Sequence, residues 1–310
     1  MNDSRRIGVT MGDPAGIGPE LVRAVCAGQT DVVIFGDGKL LAGLDADVIP
    51  VTVLDGVVPG TPTLATGAAQ LAYLDAAVAA ARAGRLDALV TAPIHKASCI
   101  AAGFAFPGHT EFLQDRLGAP AVTMMFAGPR MRVSLATIHH ALSAVPRVLD
   151  LAGVTTAIVQ TATALVGDFA VAAPRVAVAG LNPHAGEAGH FGDEESRIIA
   201  PAIAAARVDL SAAGLAVDVS GPHVPDVVFR AHLDGHFDAV VAMYHDQGLI
   251  PVKLIDFDEA VNVTLGLPIV RTSPDHGVAY DIAGKNLARP TSFAAALRLA
   301  RQLVAGRRKR

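Results

Sequence analysis

An α/β fold with parallel strands covered on both faces is what this sequence predicts, on three observations. Short apolar runs alternate along the chain with Ala-rich stretches of helical length. Most of these runs are continuously hydrophobic, as strands buried on both faces are. Several of them stop abruptly at loops rich in Gly, Pro and His, and in open α/β sheets the carboxyl ends of strands are where ligands sit. At 310 residues the chain exceeds a typical single core, so one large or two intimately packed α/β lobes are expected.

The elements follow in order. Residues 6–11 read as a short strand, and GDPAGIGPE (12–20) as a turn that opens a helix near Pro19. Such a turn can aim backbone N–H groups at an anion. Its spacing matches neither GxGxxG nor a Walker loop, and a plain strand-to-helix turn explains it equally well. VVIFGD (32–37) and DVIPVTVL (47–54) are strands, followed by an Ala-rich helix over 67–83. DALVTAP (87–93) is a strand leading through His95 and Lys96 into a helix. In PGHTEFLQDRLG (107–118), Thr110 falls near an N-cap with His109 beside it, which suits a phosphate or carboxylate, or a simple cap.

AVTMMFAG (121–128) and MRVSLATIHHAL (131–142) read as paired strands, the second ending in His139 and His140 on opposite faces. One long helix is expected over 144–166. RVAVAGLNPHAGEAGHFGDEE (175–195) is a strand followed by a polar loop with His184, Glu187 and His190. The acidic residues 193–195 suit the start of a helix over 196–208 and need no role in chemistry. VDVSGPHVPD (217–226) is a strand followed by a loop with Asp226. The apolar strand 239–243 stops at Tyr244, His245, Asp246, Gln247 and Gly248. Asn262 and Arg271 flank the run VTLGLPIV, with Arg271 placed either for bidentate pairing with an anion or for a surface salt bridge. A terminal helix begins at TSFAAALRL.

Composition narrows the function classes. Hydrophobic residues make up 52% and charged residues 17%, which fits buried sheets under Ala-rich helices. No apolar run reaches the roughly 20 residues that cross a bilayer, and the N-terminus has no signal-peptide core, so a cytoplasmic protein without a membrane partner is expected. The net charge of −4, the absence of Trp and 5% aromatics argue against nucleic acid, and the terminal RRKR (307–310) reads as a solvated helix end. Cys26 and Cys99 are too few for a disulfide framework or a CxxC site and read as buried thiols.

His139, His184 and His245 each follow an apolar strand from a distant part of the chain. Three imidazoles with an open fourth position are a catalytic divalent-metal pattern, compatible with zinc. With 11 histidines in the chain, chance placement at three strand ends is the competing reading. Lys253, Arg271, Asn262 and Thr110 add cations and hydrogen-bonding groups suited to a small anionic substrate.

MGDPAGIGPE, PGHTEFL, TIHHAL, LNPHAGE, YHDQGL and NVTLGLPIVRTSPDHG, in that order, resemble the 4-hydroxythreonine-4-phosphate dehydrogenase family of vitamin B6 synthesis. DHGVAYDIAGKNLA (275–288) is similar to the adenosine-binding loop of isocitrate and isopropylmalate dehydrogenases. The resemblance implies their fold, with residues 1–310 forming one unit of two interleaved lobes that share an active-site cleft. It implies NAD as cofactor, a divalent metal (zinc first, then manganese, magnesium or cobalt), and a homodimer with the site at the interface. His139, His184 and His245 would be metal ligands, one or two supplied by the partner subunit. His109, Thr110, Lys253, Asn262 and Arg271 would bind substrate, Gly186, Glu187, His276, Asp281 and Asn286 the dinucleotide, and Lys253 and Asp246 would handle protons. The implied reaction is oxidation and decarboxylation of 4-phosphohydroxy-L-threonine to 3-amino-2-oxopropyl phosphate. The alternatives are a relative acting on 4-phospho-D-threonate, 4-phosphoerythronate or a cis-dihydrodiol dicarboxylate, and, from another class, a phosphate acyltransferase that needs neither metal nor NAD.

Overall fold

The computed structural model describes residues 6–308, and the chain divides into two compact units. The first comprises the described residues up to Pro120 together with Leu267–Val304, and the second Ala121–Gly266 with the last described residues. Lys309 and Arg310 of the basic C-terminus lie outside the described residues. Arg307 is not simply solvated, because its guanidinium grips Asp168 at 2.7 and 3.0 Å.

In the first unit five parallel strands lie in the order β3-β2-β1-β4-β11, numbered along the chain: β1 Ile7–Thr10, β2 Val32–Asp37, β3 Asp47–Thr52, β4 Ala88–Thr91 and β11 Val270–Pro274. Every residue of β1, β2, β4 and β11 is buried, which accounts for the largely apolar character of β1, β2 and β4, whereas β11 (VRTSP) buries Arg271, Thr272 and Ser273. The helices are α1 Gly18–Cys26, α2 Leu64–Arg82, α3 Lys96–Ala101, α4 His109–Leu117 and α10 Thr291–Arg307. Pro19 stands in the first turn of α1, and Thr63 and Thr66 close a capping box on α2. By length and mean composition α2 is long and apolar enough to cross a membrane, but Gln70 and Asp75 interrupt its apolar run and 56% of its apolar window is buried inside the protein.

In the second unit the order is β10-β5-β6-β9-β7-β8, with β5 Thr123–Ala127, β6 Arg132–Leu135, β7 Arg175–Ala179, β8 Asp218–His223, β9 Ala239–Ala242 and β10 Val261–Leu265. The pairs β10/β5 and β5/β6 are antiparallel, and β6, β9, β7 and β8 run parallel. Alternate residues of β7 pack on opposite faces. Val176 and Val178 meet Ile158, Leu165 and Ile203 of α6 (Leu151–Gly167) and α7 (Ala200–Ala212), whereas Ala177 and Ala179 share a cluster with Val228, Leu249 and Val252 of α8 (Pro225–Leu233) and α9 (His245–Asp256). This is the doubly wound arrangement expected from period-two strands covered on both sides.

Several local readings are corrected. The strand before His139 and His140 ends at Leu135, so both histidines lie on a loop and the opposite-face rule does not govern them. The expected helix over 144–166 is broken into α5 (Val145–Val148) and α6, bent by 93° where Asp150 caps α6 by accepting a bond from Gly153 N at 2.7 Å. Asp226 lies in the first turn of α8 rather than in a loop.

The β5/β6 hairpin is fastened by two buried groups. Asp256 accepts from Arg130 N and Met131 N, and His232 Nε2 accepts from Arg132 N at 3.0 Å while its Nδ1–H donates to Phe237 O at 2.8 Å. This pattern requires a neutral imidazole, and burial holds the His232 pKa below its ordinary value. A depressed folded-state pKa means that the unfolded chain binds the proton more readily, so stability is full above about pH 6.5 and declines as pH falls below it. Urea denaturation should show a midpoint falling between pH 7 and pH 5, and His232→Gln should flatten that slope; an unchanged slope would remove His232 as its source.

Candidate active-site groups

β6, β9 and β7 are adjacent and parallel, so their carboxyl ends, followed by the segments with His139, His245 and His184, lie at the same edge of the sheet. Specific bonds join them there. Ala136 N and Thr137 N donate to Ala242 O and Met243 O, and Thr137 Oγ1 also donates to Met243 O at 2.7 Å, tying the His139 loop to β9. Gln247 Nε2 donates to Gly180 O at 2.8 Å while Gln247 Oε1 accepts from Met243 N at 2.6 Å, tying β9 to the end of β7.

The imidazoles of His139 and His245 are neighbours, with ring centroids 5.9 Å apart. Two imidazoles ligating one ion at roughly 2.0–2.1 Å would place their centroids roughly 5–6 Å apart, so this pair fits a shared divalent ion. His245 Nδ1–H donates to Asp246 Oδ1 at 2.7 Å, which leaves Nε2 as the lone-pair donor for a metal. His245 opens α9 directly after its N-cap residue Tyr244.

His184 stands apart from that pair, its ring 6.0 Å from Phe191. Among the described residues no group of three or more His, Cys, Asp or Glu converges on a metal position, so one chain brings together two of the three predicted imidazoles. His184 belongs to a turn, residues 183–189, in which His184, Ala185, Gly186, Glu187 and Ala188 all have φ between +42° and +80°. Left-handed backbone costs roughly 1–2 kcal/mol for each non-glycine residue. Gly186 is free of that cost, and Glu187 shares the strained run. Lys253 and Asn262 also lie in this unit, Lys253 on the exposed side of α9 and Asn262 on β10 with a buried Oδ1 that makes no hydrogen bond.

The first unit holds Arg271, His109 and Thr110. Arg271 on β11 is 2% exposed, which excludes a surface salt bridge, and its Nη2 donates to Thr91 Oγ1 at 2.7 Å. Burial pulls its pKa down to about 10, opposed by Glu111, so it stays charged at neutral pH. His109 begins α4 and its buried Nε2 makes no hydrogen bond. Burial, then Arg271 and Lys96, push its pKa well below the ordinary value. Thr110 is buried but does not cap the helix, because Gly108 takes that position in extended backbone. The sequence reading omitted Lys96 and Thr91, although the strand-to-helix passage VTAPIHK was their signal.

In the 275–288 loop, Asp281 and Asn286 are exposed and His276 has a buried Nε2 without a partner. The loop is clasped to the segment before α1 and to the first turn of that helix: Ile17 N donates to Val278 O at 3.0 Å, Tyr280 OH donates to Asp13, and Gly284 N donates to Glu20. Burial raises the Asp13 pKa against the lowering effect of that bond. Tyr280→Phe should cost about 1–3 kcal/mol in urea denaturation and loosen 275–288 in hydrogen exchange; unaltered exchange would show that the clasp does not hold the loop.

Fold and groups together define an α/β protein that carries a pair of sheet-edge imidazoles in one unit and, in the other, a buried arginine beside a buried histidine. The family model for the pyridoxal phosphate biosynthetic protein PdxA matches residues 22–300. A 4-hydroxythreonine-4-phosphate dehydrogenase of Desulfosudis oleivorans is 47% identical over 97% of this chain and 96% of its own length. The crystal structure of 4-hydroxythreonine-4-phosphate dehydrogenase from Klebsiella pneumoniae superposes with a TM-score of 0.87 at 38% identity, covering 97% of this chain and 100% of that one. A terephthalate 1,2-cis-dihydrodiol dehydrogenase from Burkholderia xenovorans LB400 gives 0.72 at 33% identity, covering 96% and 98%. The chain belongs to the PdxA family.

Proposed function

We propose that this chain is a dehydrogenase that uses NAD and a divalent metal to oxidise and decarboxylate 4-phosphohydroxy-L-threonine, yielding 3-amino-2-oxopropyl phosphate for vitamin B6 synthesis. The observation that carries this reading is the His139–His245 pair, with its supporting Asp246, in a chain of this family.

His139 and His245 would hold the metal from one subunit and His184 from the other, which makes a homodimer part of the proposal. The exposed apolar residues Ile250, Leu254 and Phe257 on one stripe of α9 and just past its end support such a contact. A bound divalent metal would supply Lewis acidity toward the substrate's oxygens, and NAD would supply the hydride acceptor. Arg271, His109 and Thr110 would hold the substrate phosphate, with Lys96 adding positive field, and Asn262 would orient the substrate by hydrogen bonding. Lys253 and Asp246 would handle protons at the reacting hydroxyl or support that handling, and Asp246 would also keep His245 in the tautomer that presents Nε2. His276, Asp281 and Asn286 would contact the dinucleotide from the 275–288 loop, with Gly186 and Glu187 contributing from the turn after β7. The two free, buried cysteines suit a reducing cytoplasm.

Lys253→Met should retain metal and lose turnover; normal turnover would remove Lys253 from the chemistry. The assignment as a whole is tested by NADH formation at 340 nm with 4-phosphohydroxy-L-threonine, before and after EDTA and after added zinc, manganese or magnesium. Activity lost to chelator and restored by metal is the expected result. The likeness to the terephthalate dihydrodiol enzyme favours the dicarboxylate as second substrate; turnover of that compound alone would overturn the B6 assignment.

A further inference from the structure

The turn bearing His184 is wrapped around a buried carboxylate. Glu195 is 5% exposed and stands at the start of a π-helical turn, Glu195–Ile199, that leads into α7. Its Oε1 accepts from Leu181 N and Asn182 N, both at 2.7 Å, and its Oε2 accepts from Asn182 Nδ2 at 3.0 Å. The backbone closes tightly over it: a Cβ at Gly186 would lie 2.7 Å from Glu195 Oε2, and one at Gly180 would lie 3.1 Å from Glu195 Oε1. The helix-start role expected for residues 193–195 therefore does not account for Glu195, whose oxygens face the β7 loop.

We propose that Glu195 is a positioning residue for His184: its carboxylate fixes the exit of β7 and the left-handed turn, and so sets where that imidazole stands. This rests on the reading above in which His184 is a metal ligand. A strained run persists only where its surroundings over-determine it. Here the carboxylate supplies that constraint by accepting two successive backbone N–H groups immediately before the turn and by lying against Gly186 within it. The side-chain amide of Asn182, shared with Glu194 at 2.7 Å, closes the cradle from the other side. Glu195 touches neither substrate nor cofactor in this scheme and acts through the ligand it aims.

Cobalt(II) uptake by the full-length protein tests this, because the visible absorption of cobalt reports ligand number and geometry independently of turnover. Glu195→Ala should weaken cobalt binding about 10–100-fold, the usual effect of removing support from a metal ligand, and should alter the cobalt spectrum. Glu195→Gln, which keeps an oxygen for the two backbone donors, should retain most of the affinity and also serves if the alanine variant fails to fold. Adding Ala188→Gly, which relieves a left-handed residue, should recover part of the lost affinity. Folded Glu195→Ala with wild-type affinity and spectrum, or folded Glu195→Gln as impaired as Glu195→Ala, overturns the inference alone. Failure of the wild-type protein to take up cobalt overturns the metal reading and this inference with it.

Discussion

His245→Ala is expected to abolish metal-dependent turnover, lowering it by more than about 100-fold, and to reduce bound metal measured on the purified protein. His245 is one of the two imidazoles that a single chain brings together, 5.9 Å apart between centroids, so its removal leaves His139 without its neighbour. Asp246→Asn should fall between this variant and the wild type. An amide at that position can still accept the bond from His245 Nδ1–H, but it no longer offers a charged acceptor, and weakened support of a ligand histidine typically costs 10–100-fold. His140→Ala, one residue from His139 but on an exposed loop position, should behave as wild type. Undiminished activity and metal content in His245→Ala would remove the metal site from this edge of the sheet.

Arg271→Met should reduce activity far more than stability. The guanidinium is almost wholly buried, bonded to Thr91 and close enough to His109 to depress its pKa. Burying that cation carries a desolvation cost, which the Glu111 carboxylate offsets in part. Bonds from such a cation to a phosphate contribute about 1.5–3 kcal/mol each, so losing two of them should reduce kcat/KM by at least about 100-fold, chiefly through KM. Methionine fills much of the same volume but leaves Thr91 Oγ1 and the Glu111 carboxylate without their cation, so some loss of stability should accompany the much larger loss of kcat/KM. Loss of stability with an unchanged KM would assign Arg271 a structural role instead.

The α/β class, most element positions and the family were legible in the sequence because they depend on local patterns. Residues 239–242 form a buried strand as their unbroken apolar character requires, and Pro19 marks the first turn of α1. The break at Leu149 and Asp150 was missed because helical composition continues through it, and the cap that ends the continuity is a single side-chain bond. Thr110 was mistaken for a cap because a hydroxyl has that propensity, whereas the chain turns at Gly108.

The order β6-β9-β7 was not legible, and it is what gives three distant histidine segments a common edge. Sequence spacing cannot encode which strands pair, because that choice is made by burial and hydrogen bonding summed over the whole sheet. By itself, then, the sequence determined the kind of fold, its ligand-type side chains and the family to which it belongs. Only the tertiary structure decided that His139 and His245 meet while His184 stands on a separate strained turn, that Arg271 is buried, and that Glu195 faces the β7 loop rather than solvent. Each of these depends on a partner far along the chain, supplied by long-range packing.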